Sequence, residues 1–500
     1  MFSFGFGSRS VDKVTIANEP GSVQAHRWQF FRVKAENLMQ GETSSDRWWE
    51  RFGIPLGSPF LISPDFSYDA ELNEFFYSAD MLPTSINTRV GYARDMMLFL
   101  NFLHRARSGI GWENATEEDH RAYLIWRRQD PDGPRVSGAT WDREVSAQNR
   151  FYRWQLSRGR VAQNPVPQRA QRARPGAHNR HQTGHTAATY SHDARRDRIR
   201  WLPAPAYRRW RDVGLRGYTA EGLPDANFRG RWATRNATFT DLLVRTGLRL
   251  SEQASMLTME VPTAASYTYP RFWLAEAVAK GGSARWVYVP KRVLREIESY
   301  QTVDRRLVVQ AARARGQYSK AGTGLLDVNS RFVTTTSKDG MRFRTPITHF
   351  SPEERRGLFV ESEEGYEPAA LWLTERGDPM AVSTWQDMFR VANQRCTTHG
   401  VQLTAHAHLL RHTFAVLTLE QLQRGHIAAL GGQTPQQRGQ YVRAFGDPLD
   451  WVRRALGHRS VTTTQVYLHA LEELEMETRL ALIPDDWESP HFPRDEAGNR

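Results

Sequence analysis

The pattern of apolar and polar positions indicates helices between residues 66 and 167. Apolar residues recur there at the spacing of one helix face, and Thr116 with Asp119 has the spacing of a capping box. Turn-forming residues separate the segments, so we predict a small all-helical domain. The apolar residues that mark its three helices are Val90, Ala93, Met97 and Leu100, then Tyr123, Leu124 and Trp126, then Trp141, Val145 and Tyr152.

The pattern changes after residue 200. Residues 271–280 and 285–290 alternate between apolar and polar positions, with a Gly-Gly-Ser turn between them, which predicts a β-hairpin. Helical periodicity returns at 291–315 and 405–482, and Ser383 with Gln386 predicts the cap of a further helix. The predicted fold class is therefore mainly α with a small β-sheet.

These patterns divide the chain into five parts. Residues 168–200 hold eight arginines and two aspartates, lack apolar periodicity and are interpreted as a basic linker, although a charge run is also typical of a solvated surface. The parts are a 1–65 extension of unassigned role, a 66–167 helical domain, the 168–200 linker, a 201–482 largest domain and a 483–500 tail.

Composition narrows the class of protein. The 500 residues carry a formal charge of +12, which favours a polyanionic partner, although a GC-rich genome also enriches arginine. The one cysteine, Cys396, excludes an intrachain disulfide and a thiolate metal cluster. No apolar run is long enough to span a bilayer, and the first residues lack the pattern of a signal peptide. We expect a cytoplasmic protein without a membrane partner.

Three short strings contain candidate chemical groups. They are Thr-Gly-Leu-Arg-Leu-Ser-Glu at 246–252, His-Leu-Leu-Arg-His-Thr-Phe-Ala at 408–415, and Leu-Gly-His at 456–458 with Tyr467 nine residues after His458. Taken singly, each has a plain structural interpretation: a glycine helix cap, ordinary histidines or a packing tyrosine.

Together, the strings resemble the tyrosine recombinase (phage integrase) family. The resemblance covers about residues 66–482 and implies a helical core-binding (SAM-like) domain and an α+β catalytic domain that form a C-shaped clamp on DNA. Lys280, one of six lysines, is at the predicted hairpin tip, where the family has its catalytic lysine. The catalytic set implied by the resemblance is Arg249, Lys280, His408, Arg411, His458 and Tyr467.

These residue types suit phosphodiester cleavage without a metal or another cofactor. Two arginines can donate paired hydrogen bonds to the non-bridging oxygens, and imidazoles exchange protons near neutral pH. A phenol needs cationic neighbours to become a nucleophile, whereas Lys280 can protonate the leaving 5′-oxygen, which arginine cannot readily do. The family resemblance implies a covalent 3′-phosphotyrosyl intermediate.

The resemblance also implies partners. These are duplex DNA with specific recombination sites, a homotetramer in a synaptic complex, and in some systems an accessory bending or directionality factor, all at the nucleoid. Integration or excision of a mobile element is the expected biology, and a relaxing topoisomerase or a non-catalytic DNA-binding protein remain alternatives. Candidate DNA contacts in the helical domain are Arg89, Arg94, Arg143 and Arg150.

Local signals place part of the candidate site and mark two departures from the family. Asp447 followed by Pro448 predicts a helix start, Gly457 its end, and Thr462 or Thr463 the cap of the helix with Tyr467. Arg411 and His458 are 47 positions apart, longer than is usual in the family. We therefore expect surface insertions at 421–446 and 336–367.

Overall fold

The computed structural model describes residues 26–33, 54, 57–170, 185–191, 199–263, 269–318, 324–336, 340–430, 447–468 and 470. The chain forms two compact units, residues 1–197 and 198–500. No helix within the described ranges has both the length and the apolar character required to span a membrane. The predicted tail at 483–500 lies outside the described residues, as do residues 431–446 of the first expected insertion.

The first unit is a helical domain flanked by two short β-ribbons. Ser85 caps α2 through a hydrogen bond to Thr88, and the predicted capping box of Thr116 and Asp119 begins α3. The buried faces of α2, α3 and α4 share one aromatic core. The elements are β1 (Gln29–Arg32), β2 (Pro59–Ile62), α1 (Ala70–Glu74), α2 (Ile86–Ala106), α3 (Glu117–Arg128), α4 (Gly138–Ser157), β3 (Gln168–Ala170) and β4 (His185–Ala187).

Parts of the predicted extension and linker pack on this helical domain. Trp28, beside β1, donates its backbone N–H to Asn101 of α2 at 2.9 Å. From the linker, Thr189 accepts a hydrogen bond from Trp141 on its carbonyl oxygen at 2.7 Å and contacts the ring of His120 through its hydroxyl at 2.9 Å. The described residues 26–65 and 168–191 are therefore part of the first unit, whereas residues 199 and 200 belong to the second. The functional division of the linker stays a prediction.

The second unit contains most of the candidate site. Its elements are α5 (Ala204–Gly214), α6 (Ala233–Thr246), α7 (Leu250–Ala254), β5 (Arg271–Leu274), β6 (Arg285–Tyr288), α8 (Lys291–Tyr300), α9 (Arg306–Ala314), β7 (Gly324–Asp327), β8 (Phe332–Thr336), β9 (Arg342–Pro346), α10 (Pro352–Arg355), β10 (Leu358–Ser362), β11 (Gly365–Pro368), α11 (Val382–Thr398), α12 (Ala407–Leu430) and α13 (Pro448–Leu456). Residues 462–468 are also helical.

The predicted mainly-α fold class with small sheets is confirmed, and so is the β5–β6 hairpin, which pairs antiparallel from Arg271 with Tyr288 to Leu274 with Arg285. A five-residue π-helix at Gln301–Arg305 joins α8 to α9 within the predicted helical stretch. The predicted cap at Ser383 is wrong, because α11 begins at Val382 after Ala381 and has no side-chain cap.

The second expected insertion is larger than the sequence pattern indicates. It is a mixed five-stranded sheet of order β11-β10-β7-β8-β9, which starts at Gly324 and which the sequence analysis does not predict. Leu257, Leu326 and Val333 belong to its own small apolar core. Thr258 donates to the carbonyl of Ala369 at 3.0 Å, so the sheet is attached a few residues beyond α7.

Candidate active site

Helix ends position the first arginine. α6 stops at Gly247, whose φ of 64° is left-handed, and a Cβ there would collide with the ring of Phe414. The chain turns at this glycine and restarts as α7, with Arg249 as the residue immediately before it. The predicted helix break at Thr246-Gly247 is thus confirmed, and it projects Arg249 from a rigid corner.

A buried carboxylate anchors two guanidinium groups. Glu252 is fully buried and accepts from Arg249 Nη1 at 2.7 Å and from Arg285 Nη2 at 2.7 Å. Burial alone would raise the pKa of this carboxyl, but the two arginines outweigh it and lower the pKa to about 2. Glu252 is therefore ionised, and it fixes both cations.

Arg411 joins the same region from α12. Its side chain is buried, and it donates to the carbonyl oxygens of Gly247 and, at 2.5 Å, Leu456. These carbonyls end α6 and α13, so one arginine holds both helix ends together. Burial and the charge of Arg249 lower the pKa of Arg411 to about 9. We call Arg249, Glu252, Arg285 and Arg411 the guanidinium cluster.

Tyr467 is buried in a pocket of histidines. Its side chain is 2% exposed, and its hydroxyl is 2.9 Å from His412 Nδ1. Burial raises the pKa of this phenol to about 12, although the charges of Arg411 and Arg249 act in the opposite direction. The imidazole of His458 lies parallel to the phenol ring at 6.4 Å between centroids. We call His412, His458 and Tyr467 the phenol pocket.

The three histidines around the site all have lowered pKa values. His458 follows the left-handed Gly457 that ends α13, as predicted, and its Nδ1 is 3.0 Å from the hydroxyl of Thr464. Burial and then neighbouring positive charges lower the pKa of His412 and His458 to about 4 each, and lower the pKa of His408 as well. All three imidazoles are therefore neutral near pH 7.

His408 and Lys280 are the exposed members of the predicted set. His408 is one turn before His412 on α12, with ring centroids 4.2 Å apart. Lys280 is at the turn of the β5–β6 hairpin, and its charge contributes to lowering the pKa of His408. Arg459, just after His458, donates to the carbonyl of Gly281 and so holds this turn near the phenol pocket.

The sequence analysis missed three residues of the site. Glu252 is in a quoted string but received no role, and its position three residues after Arg249 is the signal for the ion pair. Arg285 occupies an inward position of the alternating β6, where an arginine needs a buried partner. His412 follows His408 by one helical turn and therefore faces the same side.

The start of the Tyr467 helix also differs in detail. Asp447 caps α13 by accepting from the backbone N–H of Leu449 at 2.9 Å, as predicted. The cap predicted at Thr462 or Thr463 is wrong, since Ser460 accepts from the N–H of Thr462 at 3.2 Å. Within the described ranges, no group of three or more histidine, cysteine or acidic residues is placed to hold a metal ion.

The four arginines predicted as DNA contacts have different surroundings in the first unit. Arg143 forms a two-bond ion pair with Asp95 at 2.8 and 2.9 Å, and Arg150 donates to the carbonyl of Asp80 at 2.5 Å. Arg94 stacks over Phe30 at 5.2 Å. Arg89 is buried, and its Nε and Nη1 have no hydrogen-bond partner in the described part of the chain. Their contact with DNA stays a prediction.

Comparison with known proteins finds similarity to recombinases. Residues 83–159 match the phage integrase N-terminal SAM-like domain. The chain is 28% identical over 187 residues to tyrosine recombinase XerD of Mycobacterium tuberculosis, covering 35% of this chain and 51% of that protein. It is 23% identical over 396 residues to tyrosine recombinase XerC of Roseiflexus castenholzii, covering 79% and 87%. The chain thus spans about half the length of the XerD protein that it matches.

Solved structures of recombinases are also similar. The XerH site-specific recombinase bound to palindromic difH substrate, in a post-cleavage complex, matches with a TM-score of 0.43 at 13% identity, covering 84% of this chain and 88% of that one. The integrase of transposon Tn1549 in complex with a circular intermediate DNA matches with a TM-score of 0.41 at 12% identity, covering 80% and 96%. At such low TM-scores these likenesses place no residue of the site.

The fold and the site together define a class of protein: a SAM-like helical domain followed by a mixed α and β unit that gathers arginines, histidines and a tyrosine. The resemblance seen in the sequence is confirmed by the matching family model and relatives. The chain contains a match to the phage integrase SAM-like domain and is similar to the tyrosine recombinases XerC and XerD.

Proposed function

We propose that this protein is a site-specific tyrosine recombinase that cleaves and rejoins duplex DNA through a covalent 3′-phosphotyrosyl intermediate. The single observation that carries the proposal is the position of the Tyr467 phenol. Its hydroxyl is 2.9 Å from His412 Nδ1, and the charges of Arg411 and Arg249 partly offset the rise in its pKa that burial causes. A nucleophile, two phosphate-binding cations and proton-exchanging groups thus occupy one small region.

The proposed reaction exchanges one phosphodiester for another. The phenol oxygen of Tyr467 attacks phosphorus and loses its proton to a neighbouring imidazole or to water, while Arg249 and Arg411 stabilise the charge on the non-bridging oxygens. The bond from phosphorus to the 5′-oxygen breaks, and Lys280 gives a proton to that oxygen. Attack by a 5′-hydroxyl of another strand reverses these steps and releases the phenol, so rejoining needs no ATP.

We interpret the buried position of Tyr467 as a resting state of the proposed nucleophile. A phenol that is 2% exposed, with a pKa raised to about 12, cannot reach a phosphodiester in solution. Tyr467 is on a short helix after the turn at Gly457, with Ser460 at the start of that helix. We infer that DNA binding moves this helix so that the phenol leaves His412 and approaches the guanidinium cluster.

The proposed partners follow from this reaction. Duplex DNA with specific recombination sites is the substrate, a homotetramer forms the synaptic complex in the cytoplasm at the nucleoid, and an accessory factor sets direction where one is used. Integration or excision of a mobile element is the proposed biology. Relaxation by a topoisomerase and non-catalytic DNA binding are not favoured, because the relatives reported above are named as recombinases.

The test is covalent capture of DNA. Wild-type protein is incubated with a pool of nicked duplexes of randomised central sequence. The short fragment with the new 5′-hydroxyl diffuses away after cleavage, and adducts are isolated under denaturing conditions. We expect adducts with the wild type and none with Tyr467→Phe, which retains the packing of the ring. Tyr300→Phe, a matched buried control outside the site, should form adducts. Adducts with Tyr467→Phe, or none with wild type, would contradict the proposal.

A further inference from the structure

The inserted sheet has two edges of opposite character. At the edge strand β11, arginine side chains bond the backbone carbonyls. Arg313 donates to the carbonyl of Tyr366 at 3.0 Å, and Arg305 donates to that of Pro368 at 2.6 Å. Glu364 and Glu367 pair with these same arginines. The backbone acceptors and the charges of this edge are thereby satisfied within the unit.

The other edge is a ribbon of β8 and β9 that extends beyond the apolar core of the sheet. Val333 at its base is fully buried, whereas Met341 and Phe343 near its far end are 60% and 50% exposed. Arg342 is exposed as well, so both faces of the outer half of the ribbon are accessible. Large apolar side chains exposed beside arginines on an edge strand are typical of a binding surface.

The pairing register places the ribbon's cations together. Thr334 is opposite Arg344 and Thr336 is opposite Arg342, so guanidinium and hydroxyl donors alternate on one face. Arg344 stacks over Phe332 at 4.7 Å, which restricts its side chain, and its nearest acidic partner is Asp327 at 4.0 Å. Arg342 has no ion pair among the described residues. This face therefore presents hydrogen-bond donors with little compensating negative charge.

Positive and negative side chains are therefore concentrated at opposite edges of the sheet. The exposed acids Glu361 and Glu363 are on the β10–β11 hairpin, at the opposite side of the sheet from the ribbon. Adjacent strands are spaced by about 4.8 Å, so about 19 Å separates the two edge strands. A polyanion beside the ribbon is attracted by its arginines and kept apart from Glu361 and Glu363, with Asp327 as the acid near Arg344.

We propose that the β8–β9 ribbon is a second DNA-binding surface, which contacts the phosphate backbone of duplex DNA through Arg342 and Arg344. This inference rests on the proposed function for the identity of the polyanion. Arginine and threonine side chains are common donors to phosphate oxygens, and two-stranded ribbons are an established shape for binding duplex DNA. The contact is independent of sequence, because it reads the backbone and not the bases.

The experiment measures how duplex affinity depends on salt. Wild type and Arg342→Ala/Arg344→Ala are titrated with a long labelled duplex of random sequence over a range of KCl concentrations. Each phosphate contact contributes about 0.9 to the slope of log affinity against log salt, so the double variant should lose about 2 from the slope. Arg306→Ala/Arg390→Ala removes two exposed arginines from α9 and α11 and is the matched control, which should keep the wild-type slope.

Two further measurements distinguish failure of the ribbon contact from failure of the proposed function. At saturating DNA the ribbon variant should form covalent adducts at the wild-type rate, because the ribbon contains none of the proposed catalytic residues. A photo-crosslinking amino acid at Phe343 should label DNA. If wild type does not bind duplex DNA at all, the proposed function fails together with this inference.

Other outcomes overturn the inference and leave the proposed function in place. An unchanged salt slope in the ribbon variant, with wild-type protein binding normally, excludes the contact. Loss of self-association in sedimentation without a change in slope identifies a second copy of the chain as the partner of the ribbon. Crosslinking from Phe343 to protein and not to DNA gives the same conclusion.

Discussion

The guanidinium cluster and the phenol pocket lie in the same unit but differ in how their functional groups are held. The cluster is saturated with internal bonds: Glu252 holds Arg249 and Arg285, and Arg411 holds two helix ends. The phenol pocket has Tyr467 hydrogen-bonded to a neutral imidazole and closed off from solvent. If the roles proposed above are correct, the guanidinium cluster is preorganised to bind phosphate, whereas the phenol pocket must rearrange before Tyr467 can react.

Arg285 and Arg459 connect the parts of the chain that hold the guanidinium cluster and the phenol pocket. Arg285 Nε donates to the carbonyl of Ala455 at 2.9 Å, which connects the Lys280 hairpin to the end of α13. Arg459 bonds the hairpin turn at Gly281 from the other side of His458. A few hydrogen bonds therefore connect the hairpin to α13 and to the segment that leads into the Tyr467 helix.

Replacing the buried arginine of the cluster has the largest expected effect. Arg411→Ala removes a donor to the developing phosphorane charge and leaves two buried carbonyls without their partner, so adduct formation should fall by about 10³-fold. The rate is measured with a captured nicked duplex at a temperature where circular dichroism shows folded protein. Arg355→Ala removes an equally buried arginine, the partner of Glu260, and should retain the adduct rate. A reduction of less than about tenfold with Arg411→Ala would contradict a preorganised cluster.

Removing the proposed general acid has the next largest effect. Lys280→Ala should slow cleavage by about 10²-fold or more while duplex binding survives, because only proton delivery to the leaving oxygen is lost. Lys291→Ala, another exposed lysine of the same unit, is the control. A substrate with sulfur at the bridging 5′ position has a leaving group that needs no proton, and it should restore the rate of Lys280→Ala. Absence of rescue would count against this role.

Neutralising the anchor of the cluster should act mainly on stability. Glu252→Gln leaves Arg249 and Arg285 without an anionic partner, and the free energy of unfolding should fall by about 3 kcal/mol near pH 7. The pKa of Glu252 is lowered from 4.5 to about 2, so its contribution is present above pH 4.5 and is lost as the pH falls towards 2. Urea titrations across this range should show a weaker pH dependence for the variant. An identical pH dependence in both proteins would show that Glu252 is not the anchor.

The smallest effect is expected in the phenol pocket. His412→Ala removes the hydrogen bond that holds the resting phenol, which is worth about 1 kcal/mol, so adduct formation should rise by about fivefold. His399→Ala, at the residue that follows the last turn of α11, is the control. A decrease of about 10²-fold would instead mean that His412 accepts the phenol proton during the reaction, and the pocket would then be preorganised like the cluster.

The sequence predicts the helix ends around the candidate site better than the long-range contacts. Helix ends with strong local signals were found because they depend on nearby residues: Gly247 and Gly457 are both left-handed, and Asp447 is a cap. The roles of Arg285 and His412 depend on contacts with residues 33 and 55 positions away, which local patterns do not contain. The inserted sheet was missed for a similar reason, since its strands are short and its pairing joins Gly324 to Leu358 across an intervening hairpin.

The central claim is that Tyr467 is the residue that becomes linked to DNA. The most direct measurement is mass spectrometry of the covalent adduct after nuclease and protease digestion. We predict one modified peptide, with a nucleotide attached through its 3′-phosphate to Tyr467. A nucleotide on another tyrosine, or a DNA-bound protein that never yields a modified peptide, would contradict it.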